Sequence, residues 1–380
     1  MIRYNEPDIN KKDIASVVKV LKSGKITQGV EVEKFEEKLS KYSGSKYAVA
    51  VNSATSALHL SCLVLNIQKK DIVWVPAITF VSTANSVLFC GASVEFLDID
   101  PFTFNICEKN LEIKLENAKK KDILPKLIII VHLGGSPVNL ERIRYLSKKY
   151  NFKIIEDGSH ALGSSYKRSK IGSCKYSDIT VFSFHAIKNI TTGEGGACLT
   201  NNKLFYKKIK LLSSHGIKRV HQNKPTWYYE QHFLGYNYRI TNFQAALGIS
   251  QLNRLNFFVK KRNQIANFYI KNLHSIKLIK FQKILSDCKS SYHLFIIRVN
   301  KRIKRQLYLK LKRNKIQLSF HYMPVYLHPY YKKKNNQNLI FANNYYNECL
   351  SLPIHTNLSV THLKKIISLI KLTFAENKNF

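Results

Sequence analysis

Seven short β-prone runs, most of them separated by enough chain for a helix, restrict this sequence more than any other feature. They fall at residues 47–51, 72–75, 93–97, 127–131, 152–156, 179–184 and 196–200. Amphipathic helical periodicity marks 13–23, 31–42, 140–150 and 204–213. Strands alternating with helices predict a mostly parallel sheet covered on both faces. After Gly248 the pattern changes to a long helical stretch, a strand at 294–299 and helices at 303–313 and 361–374. That succession predicts a smaller α+β unit. A chain of 380 residues with 45% hydrophobic content suits two domains. We divide it into residues 1–245, with an N-terminal arm at 1–12, and residues 246–380. The segment 332–338 (KKKNNQN) reads as an exposed loop.

The run 179–184 leads into SFHAIKNITTGEGG, residues 183–196. A lysine there, Lys188, follows a buried strand and precedes a turn rich in glycine. Loss of water around its ammonium favours the neutral amine, which a nucleophilic lysine needs to form a Schiff base with an aldehyde. Pyridoxal phosphate (PLP) is the aldehyde cofactor that most often uses such a lysine. It also needs an acid opposite its pyridine nitrogen. Asp157 ends the run FKIIE, 152–156, and ligands of open α/β sheets lie outside the carboxyl ends of the strands. Asp157 would equally serve to cap the turn that follows. His160 lies close enough to reach the cofactor's phenolic oxygen, or to stabilise that turn. A third part begins where 47–51 (YAVAV) runs into Asn52-Ser53-Ala54-Thr55-Ser56-Ala57-Leu58. Small and hydroxylated residues there open a helix predicted at 57–65, whose free N–H groups and dipole make an anion site. An ordinary N-cap by Ser53 or Thr55 is the alternative.

These motifs carry a resemblance. The segments ITQG (26–29), NSATSALHL (52–60), EDGSHALGSSY (156–166), the Lys188 segment, LGYNYRITNFQAALG (234–248) and FHYMPVY (320–326) cover nearly the whole length. On them the chain resembles the DegT/DnrJ-type PLP-dependent nucleotide-sugar aminotransferases, and within these the branch of pseudaminic acid biosynthesis. The resemblance implies an α/β chain of PLP-dependent transferase fold type I, with a seven-stranded, mostly parallel sheet and a smaller C-terminal α+β domain. It implies transfer of an amino group from L-glutamate to C4 of a UDP-linked 4-keto-6-deoxy-N-acetylhexosamine, or of another UDP- or dTDP-linked 4-keto sugar. Lys188 would then be the Schiff-base lysine and proton carrier, Asp157 the partner of the pyridine nitrogen, and His160 the neighbour of the ring oxygen. Phe80 would stack on the ring, unless it is a core aromatic. Ala54, Thr55, Ser56 and Ser183 would hold the phosphate. Asn237 would reach it from a second subunit, making a homodimer with shared active sites. Tyr4, Gly24, Lys25, Ile26, Thr27, Ser319, Phe320, His321 and Tyr322 would line the nucleotide-sugar pocket. Family members with His in place of the lysine act as sugar dehydratases, so Lys188 implies amino transfer. Gly158 and Asn189 depart from the pattern.

A formal charge of +37 raises a different class, nucleic-acid binding. Lysines outnumber arginines by 49 to 12, with triplets only at 119–121 and 332–334. Direct base readout favours Arg, and no zinc finger, RNP motif or basic helix was found; a compositional drift fits better. A PLP-binding regulator without turnover would be expected to carry an added DNA-binding domain, and none is seen. The seven cysteines, at 62, 90, 107, 174, 198, 288 and 349, have no metal or redox spacing. Reduced thiols in the cytoplasm are expected, with no bound metal. The start MIRYNEPDINKKD is too polar for a signal peptide, and no apolar run approaches the ~20 residues of a membrane span. In a gel-shift assay with unrelated RNA at physiological salt the protein is expected to leave the RNA unretarded; a retarded band that weakens with salt would establish the nucleic-acid class.

Overall fold

The computed structural model describes residues 1–219, 225–332 and 337–377. Residues 333–336 of the predicted loop therefore lie outside the described residues. All seven predicted strands form and join one sheet: β1 (Tyr47–Val51), β2 (Ile72–Pro76), β3 (Ser93–Leu97), β4 (Leu127–Val131), β5 (Lys153–Asp157), β6 (Ile179–Ser183) and β7 (Gly196–Thr200). Their order is β1-β7-β6-β5-β4-β2-β3. Only β7 runs against its neighbours, pairing antiparallel with both β1 and β6. β4, LIIIV, is buried at every position, because helices cover the sheet on both sides. Alternate side chains feed two cores. Ile128, Ile130, Ile154 and Phe182 pack on one face; Ile129, Ile155, Ile179 and Val181 pack on the other.

The covering helices include α1 (Lys11–Lys22), α2 (Val30–Ser43), α3 (Ala54–Val64), α4 (Val81–Phe89), α5 (Glu108–Lys120), α6 (Leu140–Tyr150) and α7 (Lys203–Leu212). The predicted helix at 57–65 starts earlier, at Ala54, because the Ser53 hydroxyl caps it by accepting from Ser56 N–H at 3.1 Å. The long helical stretch after Gly248 is two helices, α8 (Asn242–Leu252) and α9 (Leu255–Leu273).

Because six strands point the same way, their carboxyl ends share one edge of the sheet. Val51, Pro76, Val131, Asp157 and Ser183 all end there, and the reversed β7 begins there with Gly196. A Cβ on Gly196 would come within 2.5 Å of the Ala54 nitrogen, so only glycine lets β7 lie against the start of α3.

Among the other strands, β8 (Lys280–Phe281), β9 (Phe295–Arg298) and β10 (Cys349–Leu352) form an antiparallel sheet. Helices α10 (Lys301–Arg313) and α11 (Val360–Ala375) share a third core with it, built from Phe295, Ile297, Leu307, Leu311 and Ile366. The chain's first residues belong to this part. Ile2 bridges Ile316, and Ile354 N–H donates to Tyr4 O at 3.0 Å. Arg262 of α9 fixes the junction. Its buried guanidinium donates to the carbonyls of Tyr292, His293 and Ile354 and to Asn5 Oδ1, between 2.7 and 3.4 Å. Arg262→Met would leave these acceptors short of donors in a dry place. It is expected to lower the unfolding free energy by ~3 kcal/mol or more, read as an earlier midpoint in urea; an unchanged midpoint would remove Arg262 from this role.

Candidate active site

After β6 the chain loops out and returns at Gly195. Phe184 N–H donates to Gly195 O at 2.8 Å and Thr192 N–H to Phe184 O at 2.9 Å, closing the base of the loop. Lys188 lies within it, and Asn189 Nδ2 ties it to Leu162 O at 2.8 Å. Loss of water draws the Lys188 amine down to about 8, with the Asp157 carboxylate pulling the other way. Asp157, at the end of β5, is 5% exposed. Its Oδ2 accepts from the Thr83 hydroxyl at 2.8 Å and its Oδ1 from Ser159 N–H at 3.1 Å. Asp157 thus caps the turn, and its charge is felt at Lys188.

His160 is buried beside them. Its Nδ1 accepts from Gly134 N–H at 3.3 Å, so the ring proton sits on Nε2 and is shared with the Tyr322 hydroxyl at 3.1 Å. Burial, and then the Lys188 ammonium, push its pKa well below the usual value, leaving the ring neutral. His293 packs against it with centroids 4.5 Å apart. His321 accepts from or donates to Ser351 Oγ at 2.8 Å and is drawn by burial down to about 3. Tyr4 stands 5.8 Å from the His321 ring. Burial raises the Tyr322 pKa, so its hydroxyl keeps its proton. Phe80 is not a core aromatic: it is 56% exposed and 6.1 Å from Tyr322.

At the start of α3, Ser56 Oγ donates to Asn52 Oδ1 at 2.6 Å and lies 2.9 Å from Ser53 Oγ. The N–H groups of Ala54 and Thr55 have no partner among the described residues. Asn52 N–H donates to Tyr238 O at 2.9 Å and Asn52 Nδ2 to Asn237 O at 3.4 Å, so the Asn237 backbone borders the helix start of its own chain, with the residue exposed, whereas the sequence reading has the Asn237 side chain come from a second subunit. Ser183 is buried at the end of β6 and accepts from His185 N–H at 3.4 Å.

Other expected residues stand apart. Gly24, Lys25, Ile26 and Thr27 are exposed. Asn242 holds this segment through Lys25 O (2.8 Å) and Ile26 O (2.9 Å), and Lys25 lines a groove of about 620 Å³ with Lys12 and Lys19. No described contact joins these four residues to Lys188. Phe320 turns toward Tyr308, 5.4 Å away, and Lys304, while Ser319 Oγ lies 3.4 Å from His321 Nε2. The sequence reading missed Thr83, Gly134 and His293. Thr83 had a signal, lying one helical turn after Phe80; the other two had none. The departure at Gly158 has a steric cause, for a Cβ there would meet the Phe182 ring and Val181 O at 3.0 Å.

A pyridine aldehyde carrying a phosphate fits these residues. The site offers a buried carboxylate, an amine of lowered basicity, an exposed aromatic face and an unpartnered helix N-terminus. Fold and site together define a PLP-dependent transferase of fold type I. Residues 7–371 match the model of the DegT/DnrJ/EryC1/StrS aminotransferase family, and the chain belongs to that family. A UDP-4-amino-4,6-dideoxy-N-acetyl-beta-L-altrosamine transaminase of Campylobacter jejuni is 42% identical over 368 residues, 96% of this chain and 95% of that one. The solved structure of Helicobacter pylori PseC, an aminotransferase of pseudoaminic acid biosynthesis, superposes with a TM-score of 0.90 at 34% identity, covering 98% of this chain and 99% of that one. A putative sugar aminotransferase of Streptococcus pneumoniae, Spr1654 in its PMP form, gives 0.91 at 30% identity, over 99% and 100%.

Reductive methylation with formaldehyde and cyanoborohydride, read at Lys188 by mass spectrometry, should rise with pH to a plateau with its midpoint at about 8. In Asp157→Asn the midpoint should fall, since the carboxylate that raises it is gone. A midpoint near that of surface lysines would refute the desolvated amine.

Proposed function

We propose that this chain transfers the amino group of L-glutamate to C4 of a UDP-linked 4-keto-6-deoxy-N-acetylhexosamine, a precursor of pseudaminic acid. The observation that carries this is that the lowered Lys188 amine and the buried Asp157 carboxylate, which acts on it electrostatically, lie just past neighbouring strands at one sheet edge. The likeness to the C. jejuni transaminase over almost the whole of both chains supports the substrate. Bound PLP supplies an electron sink for the carbon that loses or gains a proton. Lys188, an amine poised near neutral pH, takes that proton from the amino donor and returns it at C4 of the sugar. Asp157 holds a proton on the pyridine nitrogen, and Thr83 and Ser159 fix its carboxylate. Phe80 would hold the ring from its exposed face, and His160 would be the neighbour of its oxygen. Ala54 and Thr55 N–H, Ser56 and Ser183 grip the phosphate. Tyr4, His321, Tyr322, Ser319 and Phe320, with the 24–27 segment, line the sugar-nucleotide side.

The same reading makes the enzyme a homodimer, with Asn237 of the partner subunit completing each phosphate site. It further divides the chain near residue 245 and places it in the cytoplasm, where glutamate and sugar nucleotides meet. Among the described residues no helix is long and apolar enough to cross a membrane.

With PLP bound, the visible absorption band should be lost on adding L-glutamate and restored by the 4-keto sugar nucleotide, and Lys188→Ala should show no turnover. A band indifferent to glutamate would point to another donor or to a regulator. Restoration only by a dTDP-linked sugar would select the alternative substrate. Sharing has its own test. Lys188→Ala and Asn237→Ala dimers, inactive or weak alone, should recover about a quarter of full activity when mixed and exchanged, because half the dimers then hold one intact site. No recovery would confine each site to one subunit.

A further inference from the structure

Behind the anion site lies a pair of thiols that the transfer reaction does not use. Cys62 sits on the third turn of α3, and Cys90 closes α4. The two helices pack so that both thiols reach one residue, Ser86. Ser86 lies between them: Cys62 Sγ is 3.9 Å from Ser86 Oγ, and Cys90 Sγ donates to Ser86 O at 3.5 Å. Cys62 is fully buried and Cys90 only half-buried, so solvent reaches one member of the pair. His59, one turn before Cys62, stands close enough to Cys90 to favour its thiolate, although no aligned hydrogen bond joins its Nε2 to the sulfur. The contact with Cys62, and after it His59, draws Cys90 down to about 6, while Cys62 is raised well above the usual range. By contrast, burial pushes Cys174 and Cys198 up to about 12 and Cys288 and Cys349 up to about 11.

An acidic, reachable thiol beside a buried second thiol is the arrangement of an attacking and a resolving cysteine. We propose that Cys90 and Cys62 form a reversible dithiol–disulfide pair, oxidised by low-molecular-weight disulfides, that loosens the phosphate grip at the start of α3. The Cys90 thiolate attacks one sulfur of glutathione disulfide, breaking its S–S bond and releasing one glutathione, which takes up a proton. Cys62 then gives up its proton and attacks Cys90 Sγ, expelling the second glutathione, which is protonated in turn. Two protein thiols are oxidised and one small disulfide is reduced to two thiols.

The route to the anion site is short. His59 Nδ1 pairs with the Tyr238 hydroxyl at 3.2 Å, Tyr238 stacks on Tyr236 at 4.8 Å, and the Tyr238 carbonyl accepts from Asn52 N–H at 2.9 Å. A bond between Cys62 and Cys90 would shift the end of α4, where Phe89 packs against the His59 ring at 5.4 Å, and so disturb His59. This consequence rests on reading the start of α3 as a phosphate site.

The test equilibrates the purified full chain in reduced or oxidised glutathione, alkylates free thiols and maps the peptides. The oxidised sample should yield a peptide pair joined through Cys62 and Cys90, released by dithiothreitol. Neither Cys62→Ser nor Cys90→Ser should give it. PLP affinity, titrated by fluorescence quenching, should fall about 10-fold in the oxidised wild type, a coupling of ordinary size, and stay unchanged in both variants under the same oxidant. Alkylated Cys62 and Cys90 in the oxidised sample, or a link from Cys62 to Cys198, would overturn the pair. A disulfide that leaves PLP affinity untouched would overturn the control of the site. Reduced protein that fails to bind PLP at all would count against the site assignment, while the peptide map would still decide the pair.

Discussion

A buried carboxylate and a half-buried amine of lowered basicity at the same sheet edge govern the rest of this site. Each alone would be costly to bury, and the carboxylate pulls against the loss of the amine's proton. Thr83 and Ser159 donate to the Asp157 carboxylate and fix its orientation. Lys188 remains a useful amine because burial outweighs the pull of that anion. The parallel strands supply the meeting point. β5 and β6 are neighbours in the sheet, so residues just past their carboxyl ends meet although the chain between them is long. The reversed β7 closes the arrangement, and its glycine start makes room for the start of α3.

Around this pair the histidines are kept neutral. His160, His293 and His321 all lie below the ordinary imidazole range, chiefly through burial, with Lys188 pushing each the same way. Three neutral rings act as directional hydrogen-bonding groups and add no positive charge beside an amine that has to lose its proton. The chain's charge balance makes the same point on a larger scale. With 61 Lys and Arg against 24 Asp and Glu, the carboxylates buried among the described residues are Asp13, Glu36, Glu156 and Asp157. Each is held by specific donors. Asp13 binds Ser250, Gln251 and Arg254; Glu36 binds Lys210 and Ala50 N–H; Glu156 binds His132, Ser177 and Thr180.

The sheet was legible because its strands are buried on both faces, which writes them as short apolar runs with small or acidic residues at their ends. Helices α4 and α5 were not anticipated, for opposite reasons. VSTANSVLF is buried on most sides and shows no polar face, whereas EKNLEIKLENAKK buries only Leu111, Leu115 and Ala118. At the site, Lys188, Asp157 and the α3 turn could be read because each follows a recognisable strand. Thr83, Gly134 and His293 reach Asp157 and His160 only across the fold, from segments 74, 26 and more than 100 residues away. Nothing local marks such partners. Tyr322 could be read only through its motif, and its bond to His160 spans 162 residues.

That last contact shows how the site depends on the second part of the chain. Tyr322 and His321 follow helix α10, His293 precedes β9, and Tyr4 comes from the very start, stitched onto the C-terminal sheet through Ile2 and Ile354. Arg262 holds the carbonyls of Tyr292, His293 and Ile354 and the side chain of Asn5 in one fan of hydrogen bonds, so a single buried guanidinium fixes the roots of both His293 and Tyr4. The large sheet therefore supplies the reacting amine and its carboxylate, while the C-terminal part and the chain's first residues supply the wall that faces them. A site assembled this way forms only once contacts far apart in sequence are in place. Its chemistry can be tuned from either side: through the water excluded around Lys188, or through the residues Arg262 holds against His160.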